Sequence, residues 1–284
     1  MLSEGGPRLA WNDVAVRVAV FVGLVFLGGF LAGMVPVEGS LRRSVLYTFS
    51  AGVLANAIPV RIFESARLSD FGLGWTQGAW TQGAGRDLLN GLACGVGAAL
   101  AVLAALLALG WAQFEAAPAD PASAAVLSSA LLLFGAAGEE MMFHGYAFQL
   151  LVRHLGAFAT ILPAGMIFGL VHLGNPGSTL VGVVNTVLWG VLLGYACYRT
   201  GTLWMPIGMH FGWNVMLPLA GANLSGFTIR IMGYALNANA GGFWSGGVYG
   251  PEGSVLTTAA VAALFWAVTR LTRKQEGEIA CSTA

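Results

Sequence analysis

Charge is what this sequence has least of. Only 9% of its 284 residues are Asp, Glu, Lys or Arg, while 57% are hydrophobic. A water-soluble globule could not cover its core with so few polar side chains, which leaves an integral membrane protein. The thirteen basic residues balance the thirteen acidic ones, and no basic surface argues for nucleic acid. Cysteine is scarce as well: Cys94, Cys197 and Cys281 are too few and too scattered for a disulfide framework or a zinc ribbon. No large internal repeat is present, which speaks against the duplicated halves of secondary transporters. The first apolar run is too long for a signal peptide and has no small-residue cleavage site behind it, so it is read as a retained first span.

What the sequence does have is apolar length. A spanning helix needs about 20 mostly apolar residues, and eight stretches qualify, at roughly 15–36, 44–61, 88–111, 124–152, 157–174, 178–198, 202–220 and 254–271. The predicted fold is all-α, a polytopic membrane bundle of about eight transmembrane helices. It divides into 1–120, with three spans and an interfacial loop at 64–87; 121–220, with four spans; and 221–284, a glycine-rich loop, the last span and a tail. The loop at 64–87 carries a tandem WTQGA, whose Trp75 and Trp80 suit headgroup depth. Small-xxx-small pairs at Gly29/Gly33, Gly91/Gly95, Gly165/Gly169 and Gly190/Gly194 predict closely packed helices.

Orientation follows from the basic residues. With both termini cytoplasmic, Arg8, Arg17, Arg61, Arg67, Arg86, Arg153, Arg199, Arg270, Arg273 and Lys274 fall inside, against Arg42, Arg43 and Arg230 outside. The expected location is a plasma or inner membrane.

Against this oily background GEEMMFHG at 138–145 stands out. Each acid at a helix centre costs roughly 2.5–3.5 kcal/mol to insert, so a pair of them belongs in a watered, protein-lined cavity. Residues four apart share a helix face, which aligns Glu140 with His144 and sends Glu139 elsewhere. Glu140 is thus expected to pair with His144, leaving Glu139 as the better base. The same spacing recurs in FGLVH, with Phe168 and His172, and in HFGWN, with His210 and Asn214. His154 reads as a helix-end residue, Asn185 as interhelical glue and Glu252 as a loop residue. His172 falls near the end of its span while Glu139 and His210 lie near the middle of theirs, a gap that tilt or a kink near Pro163 would have to close.

EE, then FxxxH, then HxxxN on separate spans resembles the CPBP family, which includes CAAX prenyl endopeptidases and bacteriocin-processing, Abi-type membrane proteases. The likeness is strongest over 124–220 and extends through GVLLGYACYRTGTLWMPIGMHFGWN at 190–214. The family pattern EExxxR is met except at its arginine, where His144 stands: a titratable ring replaces a permanent, forked cation. The resemblance implies an intramembrane endopeptidase in which Glu139 activates water, His172 orients it, and His210 with Asn214 donates to the oxyanion. Glu140, His144 and Phe168 would support them. The implied substrate is a peptide or protein, prenylated or membrane-embedded, met within the lipid bilayer.

A zinc version is chemically reasonable, with Glu139, His172 and His210 as ligands and water in fourth position, although no HExxH is present. The metal-free version is preferred, so no cofactor is assigned beyond a conditional zinc. Rival readings are a proton-coupled transporter and a catalytically inactive scaffold of the same family. The terminal CSTA occupies the place of a C-a-a-X box, but Ser282 and Thr283 are not aliphatic.

Overall fold

Apolar runs interrupted by glycine and charge set where the helices begin and end. The computed structural model describes residues 9–75, 83–118 and 122–272. Residues 76–82 of the tandem WTQGA, Trp80 among them, lie outside the described residues, as do Arg8, Arg273, Lys274 and the CSTA tail. The helices of ten residues or more are α1 (Trp11–Gly33), α2 (Ser40–Phe63), α3 (Ala84–Ala108), α4 (Ala122–His144), α5 (Tyr146–Leu155), α6 (Ala157–Val171), α7 (Leu180–Thr200), α8 (Trp204–Leu219) and α9 (Val255–Leu271). Each of the eight apolar stretches holds a helix, and the fourth holds two. Among the described residues, six segments are long and apolar enough to cross a membrane by length and composition. The helices α8 and α9 are shorter, at 16 and 17 residues. At 1.5 Å per residue α8 reaches only about 24 Å, and it lies inside the bundle with Met205, Met209, His210 and Trp213 buried.

The long fourth stretch breaks at Gly145, and one side chain from α2 repairs the break. A helix interrupted in a membrane leaves backbone groups that must find partners within the protein. Asn56 Nδ2 donates to the Met141 carbonyl at 2.8 Å, and its Oδ1 accepts from the Tyr146 amide at 2.6 Å. Only glycine fits at 145, because a Cβ there would lie 2.1 Å from Asn56 Oδ1. Just before the acid pair, Gly138 brings α4 against α2 so closely that an added Cβ would fall 2.6 Å from the Phe49 nitrogen.

The helices α3 and α8 meet backbone to backbone. A Cβ at Gly91 or Gly95 would sit 2.1 Å from the carbonyl oxygens of Met205 and Met209, and one at Gly208 2.3 Å from that of Leu88. This is the small-residue packing expected of Gly91/Gly95. Gly33 departs from the expectation, since nothing lies within 4 Å of a Cβ placed there.

The all-α reading also lacked a small two-stranded ribbon, β1 (Ala112–Ala116) antiparallel to β2 (Tyr234–Ala238), with Ala112 opposite Ala238 and Ala116 opposite Tyr234. It joins the loop after α3 to the loop after α8 and marks one end of the bundle, the ribbon end. The Gly226 amide donates to the Tyr249 carbonyl at 2.8 Å, and Asn185 Nδ2 donates to the carbonyls of Glu252 and Ser254 at 2.7 and 2.9 Å. Asn185 therefore ties α7 to the start of α9, as its reading as interhelical glue anticipates. At the opposite end an Arg17–Glu64 ion pair joins α1 to α2, and the Leu203 amide donates to the Gly72 carbonyl at 2.8 Å. Trp75 packs edge-on against Trp204 there, ring centroids 5.1 Å apart.

Candidate active site

A cavity of about 460 Å³ lies at the ribbon end, and Glu139, Phe168, His172, His210, Asn214 and Glu252 are among its walls. The sequence-predicted acid, imidazoles and amide thus face one space. They come from α4, from the end of α6 and from α8, with Glu252 added by the turn that precedes α9. The depth gap closes without a break at Pro163: α6 runs unbroken from Ala157 to Val171, and the cavity itself reaches from mid-α4 to the residue after α6.

The two neighbouring acids have different surroundings, as a 100° step around a helix requires. The Glu139 side chain is 24% exposed, whereas Glu140 is fully buried. Each oxygen of Glu140 meets an imidazole: Oε2 lies 2.7 Å from His144 Nδ1, and Oε1 lies 2.8 Å from His210 Nδ1. The first pairing was legible from the spacing of four; the second crosses from α4 to α8 and was not. His210 turns its other nitrogen to the cavity, with Nε2 3.8 Å from Glu139 Oε2.

His172 follows the last residue of α6, and its Nδ1 lies 2.6 Å from the Phe168 carbonyl oxygen four residues back. A carbonyl only accepts, so Nδ1 carries the proton and Nε2 is the nitrogen left for chemistry. The Phe168 ring separates the two cavity histidines, its centroid 4.8 Å from that of His172 and 5.9 Å from that of His210. The phenylalanine of FxxxH is a wedge that sets their spacing.

His144, at the family's arginine position, is wholly enclosed. Its Nε2 is buried with no hydrogen-bond partner, and a Cβ on Gly194 would lie 3.2 Å from it. The ring presents Nδ1–H to Glu140, to which it donates, while Nε2 faces Gly194.

Glu252 lies in the turn before α9, in keeping with its reading as a loop residue, but it is also part of the site. Its carboxylate is buried in the cavity wall and accepts from Trp213 Nε1 at 3.3 Å, from Ser225 Oγ at 2.9 Å and from the Ser225 amide. Burial holds its pKa above the usual carboxylate range, with the Ser225 and Trp213 hydrogen bonds and His172 pulling the other way. The signal that could have found it is the only acid between Asp120 and the C-terminal tail outside the EE pair.

The zinc alternative does not fit. Among the described residues no three His, Cys, Asp or Glu side chains converge as ligands.

One buried and one partly exposed carboxylate, two imidazoles and an amide gather around one cavity inside a membrane bundle, the kind of site an intramembrane hydrolase needs. Residues 121–216 match the model of the family described as type II CAAX prenyl endopeptidase Rce1-like, which supports a likeness to the CPBP/CAAX proteases over that segment. No curated protein and no solved structure matches the chain.

Proposed function

We propose that this protein is an intramembrane endopeptidase that hydrolyses peptide bonds with water activated by Glu139. The observation that carries this reading is the division of labour between adjacent acids. Glu139 faces the cavity with no imidazole within hydrogen-bonding distance, while both oxygens of Glu140 are occupied. Glu139 takes a proton from water held near His172, and the resulting hydroxide attacks the substrate carbonyl. His172 orients that water by accepting a hydrogen bond from it at Nε2, because its Nδ1 already donates to the Phe168 carbonyl. Asn214 donates to the developing oxyanion from its amide. His210 joins it from Nε2 when the ring carries both protons, with Glu140 at one nitrogen and Glu139 near the other as counter-ions. Glu139 then returns the proton to the leaving amine. Peptide or protein segments that enter the bilayer are the substrate class, and the apolar cavity wall supplied by Val45, Leu132, Trp189 and Trp213 accommodates their side chains.

Purified protein with candidate membrane-segment peptides tests this. Glu139→Gln and His172→Ala are each expected to lower turnover by about 10²-fold or more, the usual worth of a general base, and Asn214→Ala by about 10²-fold. Thermal unfolding should stay near wild type in all three. If Glu139→Gln cleaves as fast as the parent, the reading is wrong.

A further inference from the structure

We propose that the cavity opens away from the cytoplasm, so that its substrates are peptide segments presented at the non-cytoplasmic surface of the membrane. The inference combines the two ends of the bundle with the distribution of cations, neither of which the catalytic reading uses. The cavity walls include Ser40 and Ser44 at the start of α2, Asn175 after α6, and Ser225 and Thr228 in the loop after α8. All of these belong to the ribbon end, which is bound together by the β1–β2 pairing and by Asn185 on the carbonyls of Glu252 and Ser254.

That end has few cations. Arg42, Arg43 and Arg230 are the basic residues of its described segments, and all three are exposed. The opposite end carries Arg61, Arg67, Arg86, Arg153, Arg199 and Arg270 at helix ends and in short loops, with Arg17 paired to Glu64. Basic residues near the ends of spans are retained on the cytoplasmic side, and acidic residues contribute little to that choice. The cation-rich end is therefore cytoplasmic, and the ribbon end with its cavity faces the other way. The orientation rests on helix direction and charge alone. The substrate class rests in addition on the proposed protease activity.

Cysteine accessibility separates the two. In the full chain with Cys94, Cys197 and Cys281 replaced by serine, single cysteines are placed by Arg230→Cys and Arg43→Cys at the ribbon end, and by Arg67→Cys and Arg153→Cys at the other. All four parent side chains are exposed. A membrane-impermeant maleimide on intact cells or spheroplasts should label the first pair at least tenfold more than the second, and lysis should equalise them. The reverse pattern, or equal labelling before lysis, overturns the orientation. Sealed vesicles of defined sidedness then receive an impermeant peptide that the purified enzyme cuts. Cleavage only in right-side-out vesicles supports the substrate class, and cleavage only in inverted vesicles overturns it. Were no peptide cut by the purified enzyme, the protease reading would fall while the labelling result stood.

Discussion

A buried carboxylate without water needs a donor at each oxygen, and Glu140 has an imidazole at each. Removing one partner of such a group costs more than the bond itself is worth, because the remaining charge is left uncompensated. His144 supplies one of these bonds in a shape that the surrounding packing dictates. The pocket around it ends at Gly194 and Phe148, and a Cβ on Gly194 already meets Nε2 at 3.2 Å. Restoring the family's arginine by His144→Arg is therefore expected to destabilise the protein by about 1–3 kcal/mol, the usual cost of overpacking. Differential scanning of the detergent-solubilised protein would show it, and an unchanged or higher Tm would mean that α7 can yield at Gly194. Glu252 makes a pH prediction with a definite sign. Its folded pKa is raised by burial, so between its ordinary and its raised value the folded state binds more protons than the unfolded one. Stability then falls as pH rises through that window. Glu252→Gln should remove this part of the slope, and unfolding midpoints taken from pH 4 to 7 for both proteins would show parallel curves if it does not.

At the scale of elements, the break between α4 and α5 decides where the acid pair sits. Asn56 holds the Met141 carbonyl and the Tyr146 amide that the break sets free, and it also donates to its own helix at Gly52, 2.7 Å away. Asn56→Ala leaves those two groups buried and unpaired, at about 1–3 kcal/mol each. The expected outcome is a drop of several degrees in Tm together with impaired cleavage, while Asn56→Asp keeps the Tyr146 bond and should be milder. Equal loss from the two substitutions would count against this account. Why the sequence showed the acids but hid Asn56 is a matter of range. The pairing of Glu140 with His144 follows from helical spacing within one stretch, as does the bond from His172 to the Phe168 carbonyl, so both were legible. The contacts of Asn56 with Met141 and Tyr146 span 85 and 90 residues, and that of Glu140 with His210 spans 70; local periodicity carries no trace of such pairings. Glu252 stayed hidden for the same reason: its partners Trp213 and Ser225 lie 39 and 27 residues away across a glycine-rich loop. The β1–β2 ribbon escaped because AQFEA and YALNA are five-residue pieces, too short to register beside apolar runs of about twenty.

On the scale of the whole molecule, the family-matching segment 121–216 holds the acids and the cavity histidines but not the surfaces that hold them in place. The helix α8, with His210 and Asn214, lies against α3 through Gly91 and Gly95 on one side and Gly208 on the other, and α4 lies against α2 through Gly138. Both outside partners belong to residues 1–120. The far wall of the cavity, with Ser225 and Glu252, comes from beyond 220. Helices in lipid gain little from hydrophobicity when they associate and depend on close backbone approach and interhelical hydrogen bonds, so a segment stripped of these partners has no substitute for them. Residues 121–220 expressed alone in membranes are therefore expected to be degraded or inactive. Co-expression of 1–120 and 121–284 as separate chains should restore a complex that co-purifies and regains measurable cleavage, because the cut falls between β1 and α4 and divides no described helix. Gly95→Leu, placed on the 1–120 piece, would drive a side chain into the Met209 carbonyl and is expected to abolish co-purification; a complex that survives it would show that the α3–α8 crossing does not hold the catalytic helices in place.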